Sequence, residues 1–417
     1  MGSKNNEPSI RFIGFNDNWE QRKFGDLYKV SSGYAFKYQD YCDNGVCLIN
    51  GESIQHGKIE ESNINYLPED FLNQYSNLVL KENDIVLGLN RPITNGNLKI
   101  SKIPREFNDS LLYQRAGKIN YVVNIDNDFS FVLLSQEILK HTLKEAVGSD
   151  QPFISTSKLN NWKMIIPKEE EERKKIGYYF STLDNLITLH QRKCDNLEIF
   201  KKTLLDKLFP KNKETKPLYR FNGFLDDWEQ RKLRDMGDTF TGLSGKTKED
   251  FGKGEAEFIT YLNVFNNPIS NIKLTERVEL DKKQNEVRYG DIFFTTSSET
   301  PGEVGMSSVW LDNRENVYLN SFCFGYRLKD KVDPFYMAYS LRSNPIRNQF
   351  ILLAQGISRY NISKTKAMDI EIMLPKLDEQ IKLGNIFKEI DNLITLHKRK
   401  LENLDNLKKY FLNNMFI

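Results

Sequence analysis

The 417-residue chain is poor in the residues that build metal, redox and disulfide centres. Its four cysteines, Cys42, Cys47, Cys194 and Cys323, are scattered and form no Cys-x-x-Cys pair, and four histidines add no zinc spacing. Such cysteine usage fits a reducing compartment. No stretch approaches the ~20 consecutive apolar residues of a membrane-spanning helix. Residues 1–8 lack the apolar core of a secretory signal, and Asn6 stands where a myristoylation pattern needs Ser or Thr. The expected location is the cytoplasm, with no membrane partner. Neither charge sign dominates: 59 Lys and Arg against 57 Asp and Glu give a formal net charge of +2. The chain is therefore no uniformly basic coat for nucleic acid, and any phosphate binding must come from local patches.

Catalytic signatures are missing as well. Gly245-Lys246-Thr247 resembles the end of a phosphate-binding loop, but Phe240 occupies the position of the required earlier glycine. That segment reads as a polar turn. There is no Gly-x-Gly-x-x-Gly, no His-Glu-x-x-His, no Gly-x-Ser-x-Gly, no carboxylate–lysine cluster at nuclease spacing and no Asn-Pro-Pro-aromatic run.

What the chain does have is a repeat. Arg11-Phe12-Ile13-Gly14-Phe15 and Trp19-Glu20-Gln21-Arg22-Lys23 return as Arg220-Phe221-Asn222-Gly223-Phe224 and Trp228-Glu229-Gln230-Arg231-Lys232. Asp84-Ile85 returns as Asp291-Ile292, Ile154-Ser155 as Ile362-Ser363, and Pro167 as Pro375. Asp184-Asn185-Leu186-Ile187-Thr188-Leu189-His190 is identical to Asp391-Asn392-Leu393-Ile394-Thr395-Leu396-His397. The chain is thus two tandem copies of one unit, and its 39% hydrophobic content suffices for two ordinary cores. Short apolar runs between Gly, Asn and Asp clusters, such as Ile85-Val86-Leu87, Tyr121-Val122-Val123 and Ile292-Phe293-Phe294, predict strands. Phe131 to Lys144 and Pro334 to Leu341 read as helices. Each unit is expected to be an α+β domain followed by a long helix.

The helices carry the most regular pattern. After Pro167, the acidic Glu169 to Glu172 suits a first turn. Ile176, Phe180, Leu183, Ile187, His190, Cys194, Leu197, Lys201, Leu204 and Leu208 then alternate steps of four and three, as do Leu383, Phe387, Ile390, Ile394, His397, Leu401, Leu404, Lys408, Phe411 and Met415. This is a heptad seam, with polar residues that set register at matching places. An amphipathic helix lying on its own domain is the alternative, but length argues against it. Residues 169–209 span roughly 60 Å at ~1.5 Å per residue, against a radius of gyration of about 15 Å for a 150-residue domain. The ten residues Pro210 to Tyr219 reach at most ~36 Å, so the second helix must run back along the first. An antiparallel coiled coil with pseudo-two-fold symmetry is predicted. The division is 1–11 tail, 12–168 first domain, 169–209 first helix, 210–219 linker, 220–375 second domain and 376–417 second helix. Leu186, Leu189, Leu393 and Leu396 form a further apolar stripe open to the domains or another subunit.

The framework recurs while the loops differ: Leu87 to Asn95 stands against Phe294 to Pro301, and Gly148 to Gln151 against Gln355 to Tyr360. Asn, Arg, Thr, Ser and Glu on loops between strands can match donors and acceptors on base edges. With its two openings, its two Ile-Ser elements and its twin Asp-Asn-Leu-Ile-Thr-Leu-His helices, the chain resembles the specificity subunits of Type I restriction–modification systems over nearly all its length. The resemblance implies two target recognition domains, each reading half of a bipartite sequence in double-stranded DNA, with the helices spanning the unread spacer. It also implies two methyltransferase subunits using S-adenosylmethionine, restriction/translocase subunits using ATP and Mg, and no catalytic group or cofactor in this chain. Candidate base readers are Asn90, Arg91, Thr94, Asn95, Ser149 and Gln151, then Ser297, Ser298, Glu299, Thr300, Arg359 and Tyr360. Lys37, Lys158, Lys246 and Lys366 are candidate phosphate contacts. The competing readings are a two-headed coiled-coil protein adaptor that never touches DNA, and a nuclease with an unrecognised site.

Overall fold

A computed structural model describes residues 7–145, 153–211 and 214–417. The fold is α+β, and the chain separates into two compact units, residues 1–189 with 401–417 and residues 190–400. Chain order is not the order of packing: each unit takes one globular domain, the first half of the long helix after it, and the second half of the other long helix.

In the first unit, one four-stranded antiparallel sheet runs Ile100–Lys102, Ile85–Gly88, Ala116–Tyr121, Tyr28–Ser32. The other runs Asn65–Leu67, Val46–Ile49, Ser110–Leu112, Val79–Leu80, with one parallel pair. Helix α1 (Asn127–Glu145) covers the first sheet, burying Phe129, Leu133, Leu134 and Ile138. Helix α2 (Glu170–Lys207) follows. The second unit repeats this with a sheet ordered Gly237–Thr241, Cys323–Leu328, Ile292–Thr295, Ser307–Val309. A three-stranded sheet pairs Val317–Leu319 in parallel with Phe251–Ile259. Helices α3 (Pro334–Ser340) and α4 (Asn344–Leu353) stand where α1 stands in the first unit, and α5 (Leu377–Met415) is the second long helix.

One expected strand is displaced. Tyr121-Val122-Val123 is not a strand: the strand is Ala116–Tyr121, and Val122 and Val123 lie exposed beyond it. Its partner begins at Tyr28, opposite Tyr121, so the ladder runs out whatever the β-propensity of the valines.

The duplicated openings clip each domain to its long helix. Glu20–Lys23 pairs antiparallel with Lys163–Ile166, and Glu229–Lys232 with Glu371–Leu374, the strands that lead into α2 and α5. Trp19 and Trp228 are buried behind these ribbons. Arg11 Nε donates to Glu172 Oε1 at 2.6 Å, and Arg220 Nε to Glu379 Oε1 at 2.8 Å, each onto a buried glutamate in the first turn of a long helix. Gly14 and Gly223, at φ 101° and 94°, make the turn of each Arg-Phe-x-Gly-Phe segment in a region closed to other residues.

The helix pairing is antiparallel in both units, because contacts run up one helix as they run down the other. In the first unit Phe180 meets Phe416 with ring centroids 5.9 Å apart, and Lys408 Nζ reaches Asp184 Oδ1 at 2.5 Å. In the second, His190 faces His397, Lys398 reaches Glu198, and Lys201 Nζ reaches Asp391 Oδ1 at 2.5 Å. Seam residues Ile176, Leu183, Cys194, Phe387, Ile390 and Ile394 are buried. Each helix ends by placing a phenylalanine in a core: Phe416 against Trp19, and Phe209 against Trp228.

Candidate functional site

In both domains strand pairing brings three separate segments together, through matching backbone bonds. Leu89 N donates to Arg115 O at 3.0 Å, and Ile154 N donates to Leu89 O at 2.9 Å. In the second domain Thr296 N donates to Phe322 O at 3.1 Å, and Ile362 N to Thr296 O at 2.9 Å. The duplicated Ile-Ser elements thus lock the loop that follows the central strand against a turn. Short helices then begin, carrying Lys158 in one domain and Lys366 in the other.

In the first domain this convergence borders a groove of about 780 Å³ lined by Asn90, Arg91 and Thr94 together with Asn65, Gln55, Glu52, Lys99 and Arg115. Arg91 sits at φ 46°, a left-handed conformation that a non-glycine residue adopts at a cost of about 1–2 kcal/mol, and its side chain is exposed. Neither Arg91 nor Arg115 has a carboxylate partner among the described residues, so both guanidiniums keep their donors open. Asn95 and Gly96 form the tip of a two-residue hairpin joining Ile93–Thr94 to Asn97–Leu98. Asn95 is therefore at an exposed tip whose backbone demand alone favours Asn-Gly. Asn50 also lines the groove, but its side chain is spent on Asn63 O and on the amides of Glu52 and Ser53. Ser149 and Gln151 lie outside the described residues.

In the second domain Ser297–Ser298 pairs with Tyr360–Asn361, which brings the two predicted segments side by side. Ser297 and Ser298 are buried in that ladder, and Ser298 Oγ is held by Glu303 Oε2 at 3.1 Å. Thr300 Oγ1 donates to the same carboxylate at 2.8 Å. The exposed polar face here belongs to Glu299, Thr300 and Arg359. The loop is braced by a residue that local pattern does not reveal: Arg347, whose guanidinium donates to the carbonyls of Gly302, Val304 and Gly305 at 3.0, 2.6 and 2.7 Å. Burial lowers its pKa to about 10. Tyr261 adds a hydroxyl bond to Ser297 O at 2.7 Å.

The four lysines differ in availability. Lys37 and Lys366 are exposed. Lys158 is paired with Glu145 at 2.5 Å. Lys246 is only 12% exposed and paired with Asp281 at 3.2 Å. Asp281 is held down to about 2, first by the Gln284 amide and then by the Lys283 backbone and Lys246 itself. A phosphate must displace these carboxylates to use Lys158 or Lys246. Leu186, Leu189, Leu393 and Leu396 are exposed on the long helices. Among the described residues no cluster of three or more His, Cys, Asp or Glu is placed to hold a metal ion. No helix among them is long and apolar enough to cross a membrane.

The family model described as Type I restriction modification DNA specificity domain matches residues 16–199 and 225–406, one copy in each half. The chain is 38% identical over 194 residues to the Type I restriction enzyme MjaVIII specificity subunit of Methanocaldococcus jannaschii, covering 46% of this chain and 45% of that one. It is 30% identical over 189 residues to the EcoAI specificity subunit of Escherichia coli, covering 45% of this chain and 31% of the relative. The chain thus spans less than half the length of these two relatives. The fold matches the crystal structure of the Type-I restriction-modification system S subunit from M. genitalium with a TM-score of 0.63 and 14% identity, covering 99% of each chain. With both repeats matched by one model, the chain belongs to the Type I restriction modification DNA specificity domain family.

Proposed function

We propose that this chain is the DNA-reading subunit of a Type I restriction–modification complex, in which each domain recognises one half of a split duplex target and the paired helices set the unread gap. The observation that carries this reading is the repeated convergence. One framework, used twice, presents three loop segments at equivalent positions while their side chains change from one domain to the other. That is the pattern expected of two readers with different half-sites. Lys37 and Lys366, and Lys158 and Lys246 once released from their carboxylates, anchor phosphates, which position a protein on DNA without specifying sequence. Asn90, Arg91 and Thr94 in the first domain, and Glu299, Thr300 and Arg359 in the second, discriminate bases.

Two methyltransferase subunits dock on the exposed leucines of the long helices, one on Leu186 and Leu189 and the other on Leu393 and Leu396, and bring S-adenosylmethionine. Restriction/translocase subunits join through them with ATP and Mg. This chain supplies recognition and scaffolding, with no catalytic group of its own, and acts in the cytoplasm.

The test is to exchange residues 12–168 for the first domain of another family member and sequence the methylated sites. One half of the target should change while the other stays. Both halves changing would contradict separate readers. Arg91→Ala should cost about 1–3 kcal/mol at a single base position; a uniform loss over all sequences would reassign Arg91 to phosphate.

A further inference from the structure

The two domains can be aligned position by position through their ladders. Ala116 pairs with Gly88 in the first, and Cys323 with Thr295 in the second. Arg115 and Phe322 are therefore equivalent, each ending the turn before a central strand and each accepting the backbone bond that ties down the following loop. By the same alignment Phe153, which faces Asn90, is equivalent to Asn361, which faces Ser297.

At both positions the chemistry is exchanged between domains. The first pairs an exposed Arg115 with Phe153, and the second pairs Phe322 with an exposed Asn361. Phe153 and Phe322 are each 60% exposed. Each convergence thus presents one open aromatic ring and one open polar side chain, contributed by opposite segments. Phe322 is fixed there rather than dangling: its own amide donates to Asn320 Oδ1 at 2.9 Å, and Thr296 Oγ1 donates to its carbonyl at 2.8 Å. A ring held open on a braced turn beside the polar loop forgoes the burial that ordinarily stabilises phenylalanine.

We infer that Arg115 and Phe322 occupy one and the same specificity position, which reads a base edge by hydrogen bonds in the first domain and by apolar contact in the second. The inference rests on the DNA-reading function proposed above. Arginine donates in a fork to the two acceptors of guanine in the major groove, whereas phenylalanine meets a thymine methyl group or wedges at a base step. The first half-site therefore contains a guanine, and the second an A·T pair, at the place this turn faces.

The full chain and its methyltransferase partner are incubated with S-adenosylmethionine and a pool of random duplexes, and the methylated molecules are sequenced. Arg115→Ala should reduce discrimination at one guanine of the first half-site by about tenfold or more, leaving the second half-site intact. Phe322→Ala should do the same at one A·T pair of the second, leaving the first intact. Unchanged preference at the remaining positions of the same half-site reports that the altered domain is folded, and the other half-site reports on its neighbour. Unchanged preferences in both variants would overturn the inference while leaving the DNA-reading function standing. So would a loss from Arg115→Ala spread evenly over all sequences, which marks a phosphate contact. If the unaltered chain and partner select no split sequence at all, the underlying function fails instead, and the wild-type reaction alone distinguishes that outcome.

Discussion

Gly177 and Gly384 occupy equivalent interior positions of α2 and α5, where glycine is a poor helix former. Replacing either with alanine gains about 1 kcal/mol of helix propensity, so the helix alone predicts stabilisation. The surroundings predict the reverse. A Cβ on Gly177 lies 2.5 Å from Asp126 Oδ1 and 2.5 Å from Phe129 N. Those two atoms are already bonded to each other at 2.7 Å, the carboxylate accepting from the amide at the start of α1. A Cβ on Gly384 lies 2.7 Å from Asp333 Oδ1 and 2.8 Å from Tyr336 N, which form the same bond at 2.7 Å in α3. Each domain helix docks its capped N-terminus onto a bare stretch of long helix, and a methyl group strikes the cap itself. Overpacking costs about 1–3 kcal/mol and a weakened cap about 1 kcal/mol. The net destabilisation is about 1–3 kcal/mol for Gly177→Ala, and slightly less for Gly384→Ala because its contacts are longer. Thermal unfolding should show a fall of several degrees, on the scale of ~2–4 °C per kcal/mol for units of this size. Amide exchange should accelerate at Phe129 in one variant and at Tyr336 in the other. A rise in stability, with exchange at those amides unchanged, would refute the docking argument.

Three further outcomes are expected. Lys201→Ala should destabilise the second unit by about 1–2 kcal/mol, below the ~3–5 kcal/mol of a fully buried pair, because Lys201 and Asp391 are 21% and 29% exposed and Asp391 keeps the Tyr339 hydroxyl at 2.8 Å; a double-mutant cycle with Asp391→Ala that shows no coupling would count against the pair. His190 and His397 face each other with Nδ1 atoms 2.8 Å apart, so one ring donates and the other accepts, and the pair is satisfied only while it is not doubly protonated. His190 has a lowered pKa, first because the helices desolvate it and then because His397, Lys400 and Lys193 repel a proton. As pH falls through the ordinary histidine value of 6.5, the unfolded chain binds protons that the folded chain refuses. Stability should accordingly be full above that range and decline below it, and His190→Gln should flatten the decline in denaturant midpoints between pH 7.5 and 5.5; an equal decline in the variant would clear the pair of any role. Inserting one matched heptad in both long helices adds about 10 Å at ~1.5 Å per residue and should widen the unread gap by about three base pairs at ~3.4 Å each, read from methylated sites. An unchanged gap would remove the helices from spacing.

Some of this molecule was legible as a string. The heptad steps from Ile176 to Leu208 and from Leu383 to Met415 mark helices whose seam positions are buried or half-buried. Other features were visible only as unexplained identity. The Arg-Phe-x-Gly-Phe segments gave no hint that Arg11 and Arg220 grip Glu172 and Glu379, because those partners lie more than 150 positions away. The acidic first turn reads locally as a complement to the helix dipole, and the ion pair adds a second reason for it. The candidate readers differ in exposure for the same cause. Asn90, Arg91 and Thr94 line a groove while Ser297 and Ser298 are buried, and polarity alone does not separate the two sets, because the burial is decided by a strand pairing far along the chain.

Duplication, the period of the long helices and the polarity of the variable loops are properties of residue order, since each repeats at a spacing that local geometry converts into one face or one turn. Which half of which helix belongs to which compact unit, which polar residues stay open, and that Arg115 and Phe322 stand at one equivalent position were decided only in three dimensions. Backbone hydrogen bonds between distant strands select those neighbours, and no local propensity records them.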